Sequence, residues 1–175
     1  MEFKYLGKNT MISPKASFYR PENISIGDNT RIDDFCVISA GEGGIEIGRN
    51  VHISTYCFLV GKGKITLSDF SSISSRTNIF SSADDTSGEF MIGPTLPKKY
   101  LNVKNADVFL GKHVNVGTGA VILPGAVLGE GCVVGALSLV KGECEPFKVY
   151  VGIPVRFIKD RSKKVLELEK EFLSE

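Results

Sequence analysis

A parallel β-helix of stacked triangular coils is the fold this sequence predicts, and three observations predict it. An aliphatic residue returns every six positions along most of the chain. A small or β-branched residue stands four places after it. A glycine usually follows the aliphatic residue that opens each group of three units, at Gly7, Gly27, Gly48, Gly111 and Gly129.

The six-residue frame runs from Leu6 to Val140. Its aliphatic positions read Leu6, Ile12, Phe18; Ile26, Ile32, Ile38; Ile47, Ile53, Leu59; Leu67, Ile73, Ile79; Leu110, Val116, Ile122; and Leu128, Val134, Val140. The small position reads Thr10, Ala16, Thr30, Cys36, Val51, Cys57, Ser71, Thr77, Ala83, Val114, Ala120, Ala126, Cys132 and Ser138. Six residues make one short strand and one corner, and three such units close a triangle of about eighteen residues. Successive triangles stack at roughly 4.8 Å and pair as parallel sheet, so the aliphatic rows are buried continuously.

The spacing of the coils marks where the chain leaves this frame. Leu6 to Ile26, Ile26 to Ile47 and Ile47 to Leu67 each exceed eighteen residues by two or three, and Leu110 to Leu128 returns to eighteen. Leu67 to Leu110 is far longer, which places an inserted loop at 84–107, stiffened by Pro94 and Pro97. After Val140 the frame ends, with a turn over 141–148. The domain runs over 1–158, and 159–175 is an amphipathic helix carrying Val165, Leu168 and Phe172 on one face. That helix is expected to cap the last coil or to pack on a neighbouring subunit.

Composition bounds the function. The chain has 175 residues, 42% hydrophobic and 23% charged, with a net charge of +1. One domain is expected, with no basic footprint for nucleic acid. There is no apolar run of membrane-spanning length, and the start Met1-Glu2-Phe3-Lys4 lacks a signal-peptide core, so no membrane insertion and a cytoplasmic location are expected. Cys36, Cys57 and Cys132 take the small inward position, where a thiol acts as a compact apolar group, and Cys144 falls outside the frame. The only histidines are His52 and His113, too few for the three-histidine zinc site that carbonic anhydrases on such coils require, so no metal is expected. His113, at the fourth place of its unit, reads as an exposed corner.

The long frame, the loop inserted late in it and the closing Gly152-Ile153-Pro154-Val155-Arg156 resemble the hexapeptide-repeat acyltransferases, over roughly residues 5–160. Ser82-Ala83-Asp84-Asp85-Thr86-Ser87-Gly88-Glu89 and Pro94-Thr95-Leu96-Pro97 are most similar to the sugar and surface-polysaccharide O-acetyltransferase branch. The resemblance implies a left-handed β-helix, a homotrimer with sites between subunits, and transfer from acetyl-CoA to a sugar or glycan acceptor. It also implies the site. The unit that carries a catalytic histidine in maltose and galactoside acetyltransferases ends here in Asp84. The acceptor pocket of those relatives aligns with His52 and Ser54, and Asp85 follows Asp84 as a further acceptor ligand. The resemblance places the coenzyme along Gly117, Thr118, Gly135 and Ala136, with Lys141, Lys159 and Arg161 as phosphate anchors.

The mechanism so implied is direct transfer, in which a base takes the acceptor's proton as its oxygen attacks the thioester, and backbone N–H groups stabilise the oxyanion. Imidazole is suited to that role at neutral pH, so His52 is expected as base and Asp84 as its orienter across a subunit interface, or as an acceptor ligand. Two alternatives stand beside a sugar O-acetyltransferase. One is an N-acetyltransferase of a nucleotide-linked amino sugar, whose amine needs less help from a base. The other is a non-catalytic trimeric scaffold.

Overall fold

The computed structural model describes residues 2–174. Short parallel strands form three faces of a prism seven coils tall. The first face is a seven-stranded sheet, the second has eight strands and the third six. Register confirms the six-residue frame at every level. Leu6, Ile26, Ile47, Leu67, Leu110 and Leu128 are Cα partners in one column. Ile12, Ile32, Ile53, Ile73, Val116 and Val134 form the second. Phe18, Ile38, Leu59, Ile79, Ile122 and Val140 form the third. A slip of one residue would turn a whole column outward, so these rows specify the register.

The columns are buried wherever a coil has neighbours on both sides. The first coil has one neighbour only, and Leu6 is 48% exposed while Ile12 and Phe18 are partly buried. Corners are turned by residues in the left-handed region. Asn9, Asn29, Asn50, Phe70 and His113 stand in one column between the first and second faces. Phe35, Tyr56, Arg76 and Leu137 stand in another between the second and third. The recurrent glycine has a packing cause: at Gly27 a Cβ would come within 2.6 Å of the Gly48 backbone in the next coil.

Three features of the C-terminal third differ from expectation. The prism does not end at Val140. Strand Glu143–Cys144 pairs with Val127–Leu128, which puts Cys144 beneath Leu128, and Tyr150 lies beneath Val134. Both are buried. This last coil is shorter than eighteen residues, so the six-residue frame misses it. Strand Val155–Asp160 then runs antiparallel to Lys148–Gly152, and the helix α1 begins only at Val165 and ends at Ser174.

Helix α1 does not cap the prism. It packs on the first corner of its own coils. Phe172 lies edge-on to Phe70 at 6.0 Å, and Glu169 bonds Lys112 and His113 at 2.5 and 2.7 Å. His113 is therefore buried, 7% exposed, and not the solvated corner expected. Hydrogen bonding from Lys112, opposed by burial and helped by His113, holds the Glu169 carboxyl below its usual range.

Candidate active site

The second corner carries most of the expected site residues in one line. His52 points outward from strand His52–Ile53 on the second face. Its Nε2 lies 2.8 Å from Oδ2 of Asp33 in the coil above, and Arg31 Nε donates to the other oxygen of that carboxylate at 2.6 Å. Partial burial works against ionisation of Asp33, yet the hydrogen bonds from His52 and Arg31 outweigh it and keep the carboxyl below its ordinary range. In the same coil as His52, the Ser54 hydroxyl shares a hydrogen bond of 2.9 Å with the hydroxyl of Ser75 in the next coil. Gly117–Thr118 and Gly135–Ala136 follow at the same corner, with Thr118 and Ala136 exposed. The turn of the closing hairpin completes the line, where the Gly152 N–H donates to Ser138 Oγ at 3.1 Å. At about 4.8 Å per coil, this edge runs on the order of 20 Å from Ser54 to the hairpin.

Asp84 stands at a different corner. The third face ends at Phe80, and Ser82–Ala83 pairs antiparallel with Lys104–Asn105 to form the stem of the inserted loop. The loop folds back over the third face. Between them lies a cavity of about 480 Å³, lined by Asp84, Lys62, Lys98, Val60, Leu96 and Leu101 among others. Within one chain His52 and Asp84 thus belong to different edges, and the carboxylate that orients His52 is Asp33. Any meeting of Asp84 with His52 is therefore one between subunits, and Asp33 is the carboxylate on His52 within the chain.

Asp85 is not free to bind an acceptor. It is 6% exposed, and its oxygens accept from the Ser87 N–H at 2.8 Å and from Asn102 Nδ2 at 2.7 Å, with Lys104 Nζ 3.5 Å away. Hydrogen bonding from Ser87, side chain and backbone, leads in holding this carboxyl down to about 2, and Asn102 and Lys104 add to it against the cost of burial. It is the internal staple of the loop. A depressed carboxyl stabilises the folded state above its unfolded pKa, near ~3.9, and that contribution is lost as pH falls through the folded value. Asp85→Asn is expected to lower the melting temperature by a constant amount from neutral pH down to about 4. The difference from wild type then closes towards pH 2. Hydrogen exchange across 84–107 at neutral pH checks the cause: it should rise in the variant while exchange in the coils does not.

The coenzyme anchors divide. Arg161 Nη1 donates to the carbonyls of His113 and Gly131 at 2.8 and 2.9 Å, and its backbone N–H donates to Phe147. It ties the C-terminal segment to the prism, so its assignment as a phosphate anchor is corrected. Lys141 is exposed but follows the third face, a corner away from Ala136. Lys159 is exposed and pairs with Val149, at the far end of the hairpin from its turn. Arg156, opposite Val151 and beside the turn, is nearer the line of small residues than either lysine, and the sequence reading passed over it. Among the described residues no group of three or more His, Cys, Asp or Glu side chains is placed to hold a metal ion. No described helix is long and apolar enough to cross a membrane.

A six-repeat family of bacterial hexapeptide transferases matches residues 107–142. The dTDP-4-amino-4,6-dideoxy-D-glucose acyltransferase of Escherichia coli is 55% identical over 172 residues, covering 98% of this chain and 90% of the relative. The chain belongs to the hexapeptide-repeat acyltransferases. WbbJ of Escherichia coli K12, named as a lipopolysaccharide biosynthesis O-acetyl transferase, is 30% identical over 143 residues, 79% of this chain and 69% of its own. Among solved structures, a variant of the N-acyltransferase AntD from Bacillus cereus, in complex with dTDP-4-amino-4,6-dideoxyglucose and coenzyme A, superposes with a TM-score of 0.94. It is 48% identical and covers 98% of this chain and 91% of that one. AntD in complex with dTDP and 3-hydroxybutyryl-CoA gives 0.91 at 48% identity, covering 98% and 90%. As in other hexapeptide-repeat acyltransferases, the prism is left-handed, which periodicity alone does not dictate.

Proposed function

We propose that this chain is an acyl-CoA-dependent N-acyltransferase acting on the amine of a nucleotide-linked 4-amino sugar. The observation that carries this reading is the 55% identity, across 98% of the chain, to a dTDP-4-amino-4,6-dideoxy-D-glucose acyltransferase. It favours the amine acceptor over the sugar hydroxyl that the O-acetyltransferase branch suggested. AntD, itself an N-acyltransferase solved with coenzyme A, supports the same choice. A carboxylate at Asp84, where sugar O-acetyltransferases of the maltose type carry histidine, is consistent with an acceptor that is itself basic.

The chemistry follows from the two edges. The pantetheine arm lies along Gly117–Thr118 and Gly135–Ala136, with Arg156 near its phosphates, and brings the thioester towards Ser75 and Ser54. The sugar amine attacks the thioester carbonyl. The hydroxyls of Ser54 and Ser75 are the nearest donors for the oxyanion. The amide C–N bond forms, the C–S bond breaks, and the proton released from nitrogen passes to His52, held by Asp33. Asp84 holds the amine in place. Because His52 and Asp84 occupy different corners of one prism, the site is completed between two copies, as a homotrimer provides.

The test is product analysis. The purified protein should convert dTDP-4-amino-4,6-dideoxyglucose and acetyl-CoA to a base-stable amide with release of free thiol. Turnover of hydroxyl sugars with no amide product would overturn the reading.

A further inference from the structure

We propose that the recess between the inserted loop and the third face binds the diphosphate of the nucleotide-linked acceptor, through Lys62, Lys98 and Arg20. This rests on the nucleotide-sugar reading and adds a binding site to it.

The recess has two connected parts. The cavity of about 480 Å³ carries Lys62 and Lys98 on its lining, with Asp84 as its one carboxylate. A second cavity of about 230 Å³ adjoins it, shares Val60, Gly61 and Lys62, and reaches Arg20. Among the described residues, Lys62, Lys98 and Arg20 have no carboxylate within ion-pair distance, whereas Arg31, Arg49, Lys64 and Lys112 on the coils each have one at 2.5–2.8 Å. Three cations facing one recess with apolar walls repel each other, and the repulsion is strengthened by the low dielectric of those walls. A dianionic or trianionic group removes it and gains charge-assisted hydrogen bonds.

The order of groups along the recess selects the ligand. Asp84 marks the end at the fourth coil, Lys62 follows the third, and Arg20 follows the first. Three coil steps of about 4.8 Å give a recess on the order of 14 Å long. That order, a carboxylate and then cations, matches an amino sugar joined to a diphosphate, with the amine at Asp84 and the phosphates at the lysines. A simple sugar would leave the cations without a counter-charge. The Lys62 backbone N–H donates to Ser82 Oγ at 2.7 Å, which fixes the loop stem without using the ammonium group. Its side chain is exposed, so it can be truncated without removing that bond.

The test is calorimetric titration of the full-length protein with dTDP, thymidine and coenzyme A. Wild type should bind dTDP far more tightly than thymidine. Lys62→Ala/Lys98→Ala should raise the dTDP Kd at least about 30-fold, and Arg20→Ala about 10-fold. Thymidine and coenzyme A affinities and the melting temperature should not move. Lys62→Arg should bind dTDP within about 3-fold of wild type, since the charge is kept. A dTDP Kd within twofold of wild type in the double variant would overturn this site while leaving the amine-acceptor reading standing. Failure of the wild type both to bind dTDP and to acylate a nucleotide-linked amine would overturn the two together.

Discussion

His52→Ala is expected to lower kcat by about 10²–10⁴-fold, the usual contribution of a positioned general base, while the Kd for coenzyme A stays at its wild-type value. The reason is local. His52 sits on the second face two residues before Ser54, whose hydroxyl bonds that of Ser75, and at the head of the edge assigned to the pantetheine arm. Its ring is held by Asp33 at 2.8 Å, and a carboxylate so placed fixes the tautomer and stabilises imidazolium as it forms. Asp33→Asn keeps the shape of that contact and loses the charge, so it should lower kcat by less. If His52→Ala retains kcat within a few-fold of wild type while Asp84→Asn does not, the proton goes to Asp84 or to the departing thiolate, and His52 is only a wall of the acceptor site.

The three inward columns follow from the period alone, because each aliphatic residue meets its partner one coil away whatever else the chain does. Cys144 and Tyr150 continue two of those columns but escaped the frame, since the seventh coil is shorter and turns into a hairpin. The Asp33–His52 contact was legible in principle: Arg31 and His52 are register partners, and Asp33 is two places further along the same strand edge. The burial of His113 was not legible, because its partner Glu169 lies on a helix whose docking has no periodic signal. The loop was visible only as an excess of chain. Nothing in its composition distinguishes Asp85, which turns inward to Ser87 and Asn102, from Asp84, which lines the cavity.

Gly117→Ala is expected to damage the fold, and this separates two roles that the sequence reading assigned together. The family resemblance places Gly117 and Ala136 alike along the coenzyme. The structure gives Gly117 a different constraint. A Cβ there would lie 2.5 Å from the Ala136 nitrogen, 2.7 Å from the Gly135 carbonyl carbon and 2.9 Å from the Ala136 Cα. All three are backbone atoms of the next coil, and that coil is itself fastened: the Gly117 N–H donates to Val134 and the Gly135 N–H to Tyr150. The gap between coils is set by the ladder at about 4.8 Å and cannot widen at one point without breaking those bonds. Overpacking of this kind costs about 1–3 kcal/mol, or more where backbone must move. For a chain of this size that corresponds to a fall in melting temperature of several degrees, about 2–4 °C per kcal/mol. Ala136 is exposed and points away from the stack, so Ala136→Phe should leave the melting temperature unchanged and raise the KM for acetyl-CoA strongly. Thermal melts and initial rates on the two variants decide the matter. A Gly117→Ala protein that melts within 2 °C of wild type and differs only in its KM for acetyl-CoA would show that the coils can part there, and that the glycine is kept for the ligand alone.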